Sequence, residues 1–136
     1  MIMIVDDDID DRDFFSEAVA ELAIPTDCLT SFNGENALIL LRNGGDRLPD
    51  CIFLDLNMPK MDGRIFLVEL KKDEKLKNIP VVMYSTSSHQ KDIDETRALG
   101  AIFFVTKPTE FKKLLQTISF VMNSDWKFHD NEIIIH

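Results

Sequence analysis

The sequence predicts an α/β fold, a five-stranded doubly wound parallel sheet with helices on both faces, and three observations carry that expectation. Four short runs are apolar almost without interruption: MIMIV (1–5), CIFLD (51–55), PVVMY (80–84) and AIFFV (101–105). A strand with one wet face alternates in polarity, whereas a strand covered on both faces does not, so these runs suit a parallel sheet. Stretches with helical spacing separate them, and strands alternating with helices build parallel sheets through right-handed crossovers. Lastly, 136 residues with only 5 Gly and 5 Pro make one domain large enough to bury a core.

Each element follows in chain order. Residues 1–5 form the first strand. Phe14, Phe15, Ala18, Val19 and Leu22 then share one helical face, and Pro25 is expected to stop that helix. DCLTSF (27–32) is mixed in polarity and suits a strand at the sheet edge. Ala37, Leu38 and Leu41 mark a second helix, ended by Gly44-Gly45. After the strand at 51–55, Ile65, Phe66 and Leu70 mark a third helix, with Asp62 as its cap. The strand at 80–84 leads into residues 88–99, a polar stretch whose thin apolar face predicts a weaker fourth helix. After the strand at 101–105, Phe111, Leu114, Leu115, Ile118 and Met122 mark the fifth helix. The domain spans 1–123. Residues 124–136 form an extension in which Ile133, Ile134 and Ile135 suggest an extra strand and Trp126 is expected to pack. That strand either returns onto the domain or pairs with a second copy, so a homodimer through the tail and fifth helix stays open.

Composition removes several functions. Acids outnumber bases 24 to 15, a net charge of −9, which argues against the basic stripe of a nucleic-acid binder and against anionic membrane surfaces. No apolar run approaches a spanning helix, and the start passes from MIMIV straight into acids, unlike a signal peptide. Cys28 and Cys51 make neither a disulfide framework nor a metal spacing and read as small buried hydrophobes. A cytoplasmic protein is expected.

The small form of this fold, the flavodoxin-like one, has strand order 2-1-3-4-5 and binds ligands outside the carboxyl ends of its strands. Here the first strand ends in Asp6 and Asp7, the third in Asp55, the fourth in Ser85 and Thr86, and the fifth in Thr106 and Lys107. Any one of these could be a loop or cap residue. Four polar endings along one sheet edge make a site. Carboxylates without His or Cys suit Mg²⁺ rather than zinc. A lysine and a hydroxyl opposite them suit an anion beside the metal, and phosphoryl transfer uses those parts, with Asp55 as a possible nucleophile. VDDDIDD (5–11) holds five carboxylates in seven positions, and a like-charge pair at 4 Å costs about 4 kcal/mol at an effective dielectric near 20, so the cluster calls for a neutralising cation or proton.

These residues resemble the receiver domain of two-component response regulators, the CheY-like receivers. VDD at the first strand end, LDLNMPKMDG (54–63), Ser85-Thr86 and TKP (106–108) carry the resemblance, which covers about residues 1–123. LKNIPVVMYSTSS (76–88) is similar to stand-alone receivers partnered with phytochrome-type or hybrid histidine kinases. The resemblance implies that Asp55 accepts a phosphoryl group from a kinase phosphohistidine. It implies that Asp7 binds Mg²⁺ directly, Asp6 through water, and Asn57 through its backbone carbonyl. Lys107 would pair with the phosphoryl group, and the Lys107–Pro108 bond would be cis. Ser85 would hydrogen-bond the phosphoryl oxygen, and Phe104 would be the aromatic switch, rotating inward when Ser85 is drawn to the phosphoryl group. Ser stands where Thr is commoner, and Phe where Tyr is frequent. Asp8, Asp10 and Asp11 exceed the motif and read as solvated acids at a helix start. The expected partners are a sensor histidine kinase or phosphorelay protein and an unnamed downstream protein, reached by contact or onward phosphotransfer.

Three rivals are weaker. Counting from Asp6, the acids mimic a calcium loop with Asp8, Asp10 and Glu17, but Asp11 stands where its sharp turn needs Gly. A flavin phosphate would meet Asp6, Asp7 and Asp8 and be repelled. An aspartate-nucleophile phosphatase resembling the haloacid dehalogenases needs an acid two residues after the nucleophile, and Asn57 stands there.

Overall fold

The computed structural model describes residues 1–124. Ten elements alternate: β1 (Ile2–Val5), α1 (Ile9–Ala20), β2 (Cys28–Ser31), α2 (Gly34–Asn43), β3 (Cys51–Leu54), α3 (Gly63–Lys72), β4 (Val81–Ser85), α4 (Gln90–Ala98), β5 (Phe103–Thr106) and α5 (Phe111–Met122). The strands pair in parallel in the order β2-β1-β3-β4-β5, as the sequence predicts. The expected extra strand, the packing of Trp126 and the tail-mediated dimer fall on residues outside the described ones.

The apolar runs are explained by two cores, one on each face of the sheet. Met3, Val5, Ile52, Leu54 and Met83 point toward α2, α3 and α4, joining Leu41, Phe66 and Ile93. Their alternates Ile4, Phe53, Val82 and Tyr84 point toward α1 and α5, joining Phe15, Leu114 and Ile118. Successive strand side chains face opposite ways, so a strand with helices on both sides must be apolar at every position. β1 and β3 are buried throughout, whereas edge strand β2 is only half-buried over most of its length, which accounts for its mixed composition.

Helix boundaries follow local chemistry. Asp8 caps α1 by accepting from the Asp10 and Asp11 amides, and Asp62 caps α3 by accepting from the Arg64 and Ile65 amides. α2 ends at Asn43, followed by Gly44 and by Gly45 with φ +62°, a left-handed conformation that glycine adopts without penalty. Pro25 does not end α1. The helix stops at Ala20, where the Glu21 and Leu22 amides turn back to the Ala18 and Val19 carbonyls in a tighter final turn.

Candidate functional site

The site exists because the sheet's hydrogen-bond ladder runs one residue past the strands. The Asp6 N–H donates to the Ser31 carbonyl (3.0 Å), the Asp55 N–H to the Val5 carbonyl (2.9 Å) and the Lys107 N–H to the Ser85 carbonyl (2.7 Å). Three charged residues thus hang from rigid neighbouring strands rather than from loops. Gly63 lets α3 begin close beside them. Its N–H donates to the Leu56 carbonyl at 2.8 Å, and a Cβ at this position would lie 2.7 Å from the Asp55 carbonyl oxygen.

Asp6 is fully buried, Asp55 nearly so, and Asp7 is exposed; one carboxylate oxygen from each lies within 4.8 Å of the others. Lys107 Nζ, with its side chain 10% exposed, sits 2.7 Å from Asp6 Oδ2, 2.9 Å from Asp11 Oδ2 and 3.5 Å from Asp55 Oδ2. Only the Asp11 contact has hydrogen-bond geometry, and Asp6 Oδ2 is left buried with a close ion pair but no hydrogen bond. Asp6 Oδ1 accepts from the Asp8 N–H at 3.0 Å, and Arg12 holds the Asp6 carbonyl at 2.8 Å.

Burial decides the proton affinities of the two acids. It pushes the Asp55 carboxyl up to about 7, with Lys107 opposing and Asp6 and Asp7 adding to the rise. Burial likewise raises Asp6, against Lys107. For Lys107, burial alone would favour the neutral amine, but the Asp11 and Asp6 carboxylates outweigh it and raise its pKa. One cation among three carboxylates leaves the cluster short of positive charge. An all-oxygen donor set, in which buried Asp6 Oδ2 has an ion pair but no hydrogen bond, fits Mg²⁺, which takes one or two carboxylates and retains waters.

The remaining predicted residues fall around this centre. Ser85 is fully buried at the end of β4, and its Oγ accepts from the Ser87 N–H at 3.1 Å, while Thr86 is exposed. Asn57 is exposed in the loop after β3. Two expectations need correction. No peptide bond is cis among the described residues, so Lys107–Pro108 is trans. The trans form is favoured by about 0.5–1 kcal/mol unless contacts oppose it, and the ladder bond and carboxylates hold Lys107 without a cis turn. Phe104 does not wait outside for an inward rotation: it is already fully buried against the α2–α3–α4 core. A phenyl ring has no hydroxyl to keep near water, and burying it gains about 1.5–3 kcal/mol.

Two features escaped the sequence. Asp11 is no bystander at a helix start, since it holds the site lysine. Its only signal was the D-x-x-D spacing from cap residue Asp8, which puts Asp11 at the third helical position, where acids reach back past the helix start. The other is a polar relay leading away from Ser85. Ser87 Oγ donates to Asp92 Oδ2 at 2.5 Å, and Arg64 on α3 bonds Asp92 and Glu95 on α4, each at 2.6 Å. The Ser87 hydroxyl, with Arg64 nearby, holds the Asp92 carboxyl below its ordinary range.

This geometry removes the calcium-loop rival. Residues 2–5 are a strand, and the acid run continues directly into α1, with Asp8 occupied as its cap.

A parallel sheet in this order, with two acids and a lysine pinned at its carboxyl edge, matches the arrangement that the sequence resemblance implies. The chain belongs to the response regulator receiver domain family, which it matches over residues 2–119. Among its relatives, it is 31% identical to the response regulator Rcp1 of Synechocystis, over 87% of this chain and 83% of that one. It is 33% identical to the sensor histidine kinase CheAY of Helicobacter pylori over 79% of this chain, but spans only 13% of that kinase's length. The solved structure of the phosphorylated cyanobacterial phytochrome response regulator RcpA superposes with a TM-score of 0.79 at 35% identity, covering 94% of this chain and 91% of that one. A second solved relative is the Mn²⁺-bound form of Rcp1, with a TM-score of 0.76 at 28% identity, covering 99% of this chain and 97% of that one. Among the described residues no helix is long and apolar enough to cross a membrane.

Proposed function

We propose that Asp55 accepts a phosphoryl group from the phosphohistidine of a sensor histidine kinase or phosphorelay protein, and that the phosphorylated receiver, spanning residues 1–123, presents an altered surface to a downstream protein. The observation that carries this is a nearly buried carboxylate 3.5 Å from a lysine, flanked by two further carboxylates at one sheet edge. In the transfer, the P–N bond of the donor breaks and a P–O bond to an Asp55 oxygen forms. The histidine ring keeps the electron pair of the broken bond and takes up a proton. Lys107, with the Ser85 hydroxyl, would answer the two or so negative charges that arrive. The Asp6, Asp7 and Asp55 carboxylates and the Asn57 carbonyl would hold Mg²⁺, which when bound neutralises the acids and the charge on the transferring oxygens. Asn57 can neither give nor take a proton, which favours a lasting acyl phosphate over fast turnover. Similarity to RcpA supports a phytochrome-type kinase as the donor.

The test is direct. Incubation with Mg²⁺ and acetyl phosphate should add the mass of one phosphoryl group, and the addition should vanish in Asp55→Asn and in EDTA. Persistence of the mass gain in Asp55→Asn would place the acceptor elsewhere.

In this reading Ser85 and Phe104 form the switch. Phosphorylation stabilises the arrangement in which Phe104 is already inside, and Ser85 passes the change through Ser87 to Asp92 and α4. Asp92→Ala should leave the phosphorylation rate within about twofold, because Asp92 contacts α3 and the loop before α4 but not the acceptor. It should abolish the phosphorylation-dependent change in amide exchange along Gln90–Ala98. The same exchange change in the variant and the wild type would remove the relay.

A further inference from the structure

Lys107 is shared unequally among its three carboxylates. Asp6 Oδ2 lies nearest at 2.7 Å; Asp11 Oδ2, on the first turn of α1 and 96 positions away in the chain, receives the ammonium's hydrogen bond at 2.9 Å, and Asp55 Oδ2 stands off at 3.5 Å. We propose that Asp11 is a positioning residue for phosphorylation: it holds the Lys107 ammonium off Asp55 in the unphosphorylated protein and must release it when a phosphoryl group arrives. This rests on the reading of Asp55 as the acceptor.

Exposure decides which carboxylate yields. Asp6 is fully buried, so a departing lysine would leave its charge unanswered in the interior. Asp11 is 38% exposed and can be rehydrated when the ammonium turns away. Two effects then act in one direction. Asp11 competes with the phosphoryl group for the ammonium, and its own negative charge repels the incoming group within reach of the same nitrogen. Removing the charge of Asp11 therefore favours the phosphorylated form. Asp10 lies one position earlier on the same turn and is exposed, but is not among the partners of Lys107, so it serves as a charge-matched control.

The experiment titrates beryllium fluoride, an analogue of the phosphoryl group, into the wild type, Asp11→Asn and Asp10→Asn in saturating Mg²⁺. Binding is followed by calorimetry, and the Lys107 side-chain nitrogen by NMR in the metal-free proteins. Asp11→Asn should bind about 2- to 5-fold more tightly at low salt, the range expected for one partly exposed ion pair, and the gain should shrink at high salt. The Lys107 resonance should shift in Asp11→Asn and stay in place in Asp10→Asn. Unchanged or weaker binding by Asp11→Asn, an equal gain in Asp10→Asn, or an unmoved Lys107 resonance would each overturn the proposal. If the wild type binds no beryllium fluoride, the acceptor reading itself fails, and the Lys107 resonance still decides whether Asp11 holds the lysine.

Discussion

Lys107→Ala should destabilise the metal-free protein by about 3–5 kcal/mol at pH 8, the cost of stranding a buried charge after its partner is removed. The deletion leaves Asp6, fully buried, and Asp55, nearly so, without their cation. The loss should shrink toward pH 5. Without the ammonium both carboxyls hold their protons more tightly, so acidification neutralises them and relieves the folded variant more than the wild type. Saturating Mg²⁺ should recover part of the loss, because only the folded chain gathers the three carboxylates. Urea denaturation at both pH values, with and without Mg²⁺, measures all of this. A loss below about 1 kcal/mol at pH 8 would show that the lysine does not hold the cluster together.

Asp55→Asn should act in the opposite direction, stabilising the metal-free protein at pH 8 by on the order of 2–4 kcal/mol. The Asp55 carboxyl is pushed up to about 7 from an ordinary 3.8, chiefly by burial. For an acid raised in this way, the favourable contribution is complete below the unfolded value. It is lost as pH climbs through the folded one, because the unfolded chain then ionises more readily. The advantage of the variant should therefore be absent near pH 3.5, grow between about 4 and 7, and level off above 7. Comparing variant with wild type isolates this group from Asp92, whose lowered pKa gives the opposite slope. Equal stability of the two proteins at pH 4 and pH 8, in EDTA, would mean that Asp55 ionises freely in the fold.

Much of the fold and part of the site are legible in the amino-acid sequence alone. The central strands are written as unbroken apolar runs because helices cover both faces, and that burial leaves no room for alternation. Asp6, Asp55 and Lys107 can be placed at one edge because each follows such a run, and the fold assigns run ends to that edge. Contacts between polar residues are not legible. Beyond the D-x-x-D spacing, VDDDIDD does not say which acid turns inward; that depends on α1 starting at Ile9 and on a lysine delivered by the last strand. The relay from Ser85 to Arg64 is equally silent, since Ser87, Asp92 and Glu95 read as an ordinary wet loop and helix. The inward Phe104 escapes the sequence for a different reason. Its expected mobility comes with the family, whereas its burial follows from the local packing of a ring without a hydroxyl.

The ladder bonds that carry Asp6, Asp55 and Lys107 divide what can diverge in this chain from what cannot. A slip of one residue in the pairing of β3 would turn every side chain of that strand, and Asp55 with it, to the opposite face. No insertion can be absorbed there. The outer faces of α4 and α5 hang on no such register, so residues on them can be exchanged without shifting Asp6, Asp55 or Lys107. Under the proposed function, substitutions confined to those exposed positions should leave the phosphorylation rate unchanged.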